Sequence, residues 1–208
     1  MNVWRVGHRS APCNFTPRHF YGWVNRFDDP HREYRTLYCC DFKLTCLREV
    51  LADFRPNLKA IREFGKTFKK EPSHFFGTVP MEWRRAHVLI ECQLKIIKGA
   101  IVDLAHGAIK KDLKKQLKDF LKEQKIRVLN MKELRSKNRM LTQKISRALF
   151  EDGYAVIKFT SHLDRQPCYA LFEARAELHP TKTKILLSEN FKEFQQVCNE
   201  FGLEITTV

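Results

Sequence analysis

Between Tyr34 and Pro56 the chain has one local solution: a strand, a turn, and a helix closed by proline. Tyr34 to Tyr38 (Tyr-Arg-Thr-Leu-Tyr) is a short aromatic and β-branched run, the composition of a strand. After the turn, Leu44, Leu47, Leu51 and Phe54 recur at helical spacing and set one apolar arc. Asp41 is placed to cap the helix, and Pro56 bars its continuation. Glu49 falls at the edge of the arc, beside Cys46 and Asp53. A carboxylate there either leans over a pocket or sits in water.

The remaining segments divide in the same way. Asn2 to Val6 reads as a strand carrying Trp4 and Arg5, and residues 7–23 as a loop with scattered rings. Residues 22–30 form a polar turn in which Arg26 lies between apolar neighbours, with Asp28 or Asp29 as its expected ion-pair partner. Residues 57–71 are charged and read as helix, and 71–80, broken twice by proline, as loop. Residues 86–92 and 101–104 are compact apolar runs suited to buried strands. Ile109, Leu113, Leu117, Phe120 and Leu121 mark one helical face, and residues 142–150 a second helix ended by Asp152-Gly153. Residues 154–159, 168–172, 184–187 and 203–207 read as strands. Asn190 is the expected cap of a helix whose Phe191, Phe194, Val197 and Phe201 share a face. Strands scattered among helices without a βαβ rhythm predict an α+β fold, one domain over residues 1–208, with a mixed or antiparallel sheet and flanking helices.

Charge and cysteines narrow the classes. Residues 109–147 hold 14 Lys or Arg against 4 Asp or Glu, a local +10 that leaves +4 for the rest of a chain at +14. Lysines dominate, and the one aromatic residue, Phe120, belongs to the apolar face rather than interleaving for base stacking, so a solvated face is the plainer reading and direct nucleic-acid binding is not expected. A non-catalytic basic nucleic-acid-binding module remains the alternative of a different class. Seven cysteines, an odd count with no Cys-x-x-Cys, point to reduced thiols in the cytoplasm rather than disulfides or zinc. No apolar run is long enough for a membrane span, and the N-terminus lacks a signal pattern.

The motifs of common catalytic machinery are missing. There is no Gly-x-Ser-x-Gly, Gly-x-Gly-x-x-Gly, Walker loop or His-x-x-x-His. What remains is Arg26 in a turn, Tyr38 on a strand, Glu49 on the next helix and Ser161 after a late strand. Each has a structural explanation taken singly. Together they are the groups needed to hold a nucleotide sugar while an N-glycosidic bond breaks: a cation for phosphates, a ring for a base, a carboxylate for developing positive charge and a hydroxyl to orient.

Five stretches, in order, resemble the RES domain family, named for an arginine, a glutamate and a serine. They are Arg26-Phe27-Asp28-Asp29-Pro30; Tyr34 to Tyr38 with Cys46 to Leu51; Gly77-Thr78-Val79-Pro80 with Trp83 and Arg84; Arg139 to Gln143 with Ile145 and Ser146; and Gly153 to Ser161. The similarity runs from about residue 4 to 176; the lysine-rich part, 109–135, matches nothing specific, and 177–208 falls in the family's variable C-terminal part. Asn25 stands where a glycine is common, and His162 follows Ser161 where an arginine or serine is frequent. The resemblance implies an ADP-ribosyltransferase-like fold acting on NAD as substrate, without a cofactor, at the nicotinamide–ribose bond. ADP-ribose would pass to water or to inorganic phosphate (a glycohydrolase or phosphorylase) or, alternatively, to a protein (an ADP-ribosyltransferase). It implies a toxin paired with a cognate antitoxin that carries a helix-turn-helix DNA-binding region. By position, Arg26 would bind phosphates or ribose, Tyr38 the nicotinamide side, Glu49 the ribose and its transition-state charge, and Ser161 the ribose or amide; Arg5 is a further substrate-binding candidate.

Overall fold

The computed structural model describes residues 1–56, 77–134 and 138–206. Through them runs an eight-stranded sheet of β1 (Asn2–His8), β2 (Thr36–Cys40), β4 (His87–Ile96), β5 (Ile101–Asp103), β6 (Val156–Thr160), β7 (Pro167–Phe172), β8 (Ala176–Pro180) and β9 (Ile185–Leu186). The order is β5-β6-β7-β2-β1-β4-β8, with β9 also on β4; β5 and β6 are parallel and the other pairs antiparallel. β3 (Thr78–Val79) and β10 (Glu204–Ile205) form a separate parallel pair. The helices are α1 (Lys43–Leu51), α2 (Met81–Ala86), α3 (Gly107–Gln116), α4 (Lys118–Glu123), α5 (Met131–Leu134), α6 (Arg139–Glu151) and α7 (Lys192–Phe201). This is the expected α+β architecture, with a mixed sheet.

Strand alternation divides the core in two. Cys40 of β2 with Cys168, Ala170 and Phe172 of β7 face the helices, where they meet Leu47 and Leu51 of α1, Leu141 and Ile145 of α6, and Phe194 and Val197 of α7. Leu37 and Cys39, with Tyr169 and Leu171, face the other side with Val3, Ile90, Cys92 and Leu178, and Phe15 packs on them. Gly7 lets the segment after β1 fold back over that side: a Cβ there would lie 2.2 Å from the Pro12 carbonyl oxygen.

Two expected caps are each one residue early. α1 begins after Phe42, not Asp41, because the Asp41 amide still donates to the Pro167 carbonyl (3.2 Å) and prolongs the β2–β7 ladder. Its carboxylate lies beside Tyr169 instead, whose phenol is raised by burial and then by that charge. α7 likewise begins after Phe191, the Phe191 amide donating back to the Ser188 carbonyl (3.1 Å), so Asn190 is not the cap. The apolar face from Ile109 to Leu121 forms as expected but is divided between α3 and α4 at Leu117 (φ −96°, ψ 19°); Leu113 and Leu121 are buried. β8 was not legible, since Ala-Glu-Leu-His-Pro offers a single large apolar residue. The helix expected over 57–71, and the loop as far as residue 76, lie outside the described residues. Among those described, no helix is long and apolar enough to cross a membrane.

Candidate active site

The site opens where two central strands part. β1 and β2 share one register pair, Trp4 with Cys40. Continued, that register would set Val6 opposite Tyr38, but both backbone groups find side chains instead. The Val6 amide donates to Cys46 Sγ of α1 (3.2 Å), and Arg5 Nη1 donates to the Tyr38 carbonyl (2.7 Å). Arg5 Nε donates to the Pro12 carbonyl (2.8 Å). Arg5 therefore lines the cavity at this split as a strut. Buried backbone groups must be paired, and these side chains pair them without closing the ladder.

The turn bearing Arg26 is held from two sides. On the strand side, the fully buried Asp28 carboxylate accepts from the Tyr21 hydroxyl (2.6 Å), the Thr36 hydroxyl (2.5 Å) and the Asn25 amide (2.7 Å). The Phe27 amide donates to the Tyr38 hydroxyl (2.9 Å). On the helix side, Gln143 Nε2 donates to the Asn25 carbonyl (3.1 Å) and Ser146 Oγ to the Phe27 carbonyl (2.6 Å). The expected local pairing of Arg26 does not form: Asp28 is taken by those donors, and Asp29 accepts from the amides of His31 (3.2 Å) and Glu33 (2.7 Å) and faces Arg147. Arg26 turns instead over the Phe159 ring (5.6 Å to its centroid) and into the cavity. Burial lowers its pKa, Glu49 pulls it back up, and Arg139 lowers it further. Asn25 fits where a glycine is common because the left-handed residue of this turn is Trp23 (φ 56°).

Glu49 leans over the pocket. Its side chain is 27% exposed, and Oε1 accepts from Ser161 Oγ at 2.6 Å. Ser161 is fully buried; its Oγ also accepts from the Leu163 amide (3.0 Å), and its amide donates to the Gln166 carbonyl (2.9 Å). The loop is fastened to α1 by Asp164, which accepts from Thr45 Oγ1 (2.7 Å) and Arg48 Nη1 (3.0 Å). Arg48 also grips Glu200 of α7 with two bonds of 2.8 Å, which lower the Glu200 carboxyl to about 2. A carboxyl so depressed adds stability that is complete above its ordinary value, near 4.5, and is lost as pH falls towards 2. Glu200 is 35% exposed and solvent-screened, so Glu200→Gln is expected to cost under ~1 kcal/mol at pH 7. Thermal melts should show the gap to wild type narrowing steadily below pH 4.5; a gap independent of pH would contradict this role.

These elements enclose a cavity of about 380 Å³. Arg5, Arg26, Tyr38 and Glu49 line it, whereas Ser161 stands behind Glu49 and reaches the space through it. The Tyr38 hydroxyl is engaged by Phe27 and lies 3.2 Å from the Thr36 hydroxyl, so the ring is what it offers the cavity. Sequence reasoning missed Phe54, Trp83, Phe159, Arg139 and His162, which also line it. Phe159 was within reach: it lies two residues before Ser161, and alternation on β6 turns it to the helical face. Phe54 and Trp83, edge to face at 5.0 Å, come from segments nothing in the sequence pairs. Aromatic walls, arginines and the carboxylates of Glu49 and Asp53 suit a planar base on a phosphorylated sugar. Among the described residues, no group of three or more His, Cys, Asp or Glu side chains could hold a metal ion.

A family model described as RES domain matches residues 2–188. No curated protein matches the chain. Among solved structures, the fold is similar to one in the crystal structure of the M. tuberculosis MbcT–MbcA toxin–antitoxin complex. The TM-score is 0.50 at 13% identity, over 96% of this chain and 87% of that one. At that identity the likeness is one of fold.

Proposed function

This chain belongs to the RES domain family, and on that premise we propose that it degrades NAD at the nicotinamide–ribose bond. The observation that carries the reading is the convergence of Arg26, Tyr38 and Glu49 on one cavity, with Ser161 bonded to Glu49 behind it. In NAD the nicotinamide nitrogen is already cationic, so its bond to ribose breaks with the electron pair going to the leaving group, and no general acid is needed. Positive charge passes to the ribose carbon. A carboxylate facing that carbon stabilises the charge as it forms. Ser161 fixes Oε1 of Glu49 and leaves Oε2 to face the sugar. Arg26 and Arg139 balance the pyrophosphate, and the rings of Tyr38, Phe159 and Trp83 give the bases apolar faces. The ribosyl cation is then captured by water or by inorganic phosphate.

The fold shared with a chain of a toxin–antitoxin complex supports a matching biology: a toxin that drains NAD, held in check by a cognate antitoxin. Purified protein incubated with NAD is expected to release nicotinamide, alongside free ADP-ribose or, with phosphate present, its phosphorylated form. Intact NAD after prolonged incubation with folded protein would overturn the reading. ADP-ribose found on a protein would redirect it to transfer.

A further inference from the structure

His162 follows Ser161 and lines the same cavity. Its Nδ1 lies 4.0 Å from Glu49 Oε1, the oxygen that Ser161 Oγ already reaches. That separation is too long for a hydrogen bond to a neutral imidazole and within reach of an ion pair once the ring is protonated. The loop cannot drift, because Asp164 ties it to Thr45 and Arg48 and the Ser161 amide is bonded to Gln166. At 38% exposure the ring exchanges protons with solvent.

Among the described residues, charges reach the cavity from several elements. Arg5 of β1, Arg26 of the turn and Arg139 of α6 oppose a further cation. Glu49 of α1 and Asp53 of the turn after it favour one, and Asp164 and Arg165 follow His162 in sequence on the same loop, with Asp164 committed to Arg48. Tyr38 and Cys39 are kept neutral by burial, and Cys40 by its bond to Cys168, so none of the three changes charge near neutral pH.

We propose that His162 sets the charge Glu49 can offer. As neutral imidazole it leaves the carboxylate to the ribosyl cation; as imidazolium it pairs with that carboxylate and adds positive charge where more is about to form. His162 is thus a positioning residue that acts through Glu49, and the inference rests on the NAD-cleavage reading.

The test is the pH profile of nicotinamide release. Histidine changes charge across this range, so the wild-type rate at pH 5.5 should lie at least ~3-fold below that at pH 8. In His162→Asn, which has no imidazole to protonate, the ratio of the two rates should fall below ~2-fold. An unchanged acid limb in the variant would overturn the proposal. A second measurement needs no turnover: the His162 imidazole is titrated by NMR in wild type and in Glu49→Gln. Its midpoint should drop by at least ~0.3 pH units when the carboxylate is neutralised, and coincident midpoints would also overturn the proposal. If no nicotinamide is released at any pH, the NAD reading fails, and the NMR titration still decides whether the two side chains are linked.

Discussion

Glu49→Ala is expected to lower nicotinamide release by at least ~100-fold, the loss that follows removal of one well-placed electrostatic stabiliser. The carboxylate works in a cavity walled largely by rings and arginines, and among the described lining residues only Asp53 shares its charge. The fold should survive, because Glu49 sits at the cavity edge, 27% exposed, and its loss costs at most the ~1–3 kcal/mol of the Ser161 hydroxyl left without its acceptor. Glu49→Gln sharpens the point. It keeps an oxygen for the Ser161 hydroxyl and preserves shape, so a comparable loss would assign the effect to charge rather than to a displaced loop. Rates for both variants within a few-fold of wild type, with unchanged melting temperatures, would remove the carboxylate from the mechanism.

How far the sequence disclosed this site depends on the kind of information each residue needed. Tyr38 and Glu49 were readable because a strand of period two and a helix of period 3.6 each announce a face within a few residues. The pairing of Glu49 with Ser161 was not. It spans 112 positions and depends on Asp164 meeting Thr45 and Arg48, a contact no local pattern encodes. The misplaced caps at Asp41 and Asn190 have a related cause. A local capping preference lost to a nearby competing bond, in one case the last rung of a ladder closed from Pro167. Arg26 shows the opposite error. Proximity in sequence favoured Asp28 or Asp29, yet both carboxylates are engaged by other donors, and the arginine turns over Phe159 into the cavity. The resemblance supplied what periodicity could not, namely that these separate residues belong together.

Asp28→Ala is expected to be strongly destabilising. The carboxylate is fully buried and accepts from the hydroxyls of half-buried Tyr21 and buried Thr36 and from the amide of Asn25. Each buried donor left unsatisfied costs ~1–3 kcal/mol. The Thr36 hydroxyl can turn towards the Tyr21 or Tyr38 hydroxyl, so part of the sum is recovered. The net loss should still reach ~3 kcal/mol, a large share of the ~5–15 kcal/mol that holds a domain together. At this chain length, that lowers the melting temperature by roughly 6–12 °C. Asp28→Asn should fall between, since one amide oxygen still accepts while its nitrogen meets a donor. Activity should fall with stability and further, because the same three bonds fix the turn that aims Arg26. At a temperature where both variants remain folded, Asp28→Ala should raise KM for NAD more than Asp28→Asn does. A melting temperature within ~2 °C of wild type for Asp28→Ala would mean that Gln143 and Ser146 hold the turn without the carboxylate. The arginine's position would then be set by α6 rather than by β2.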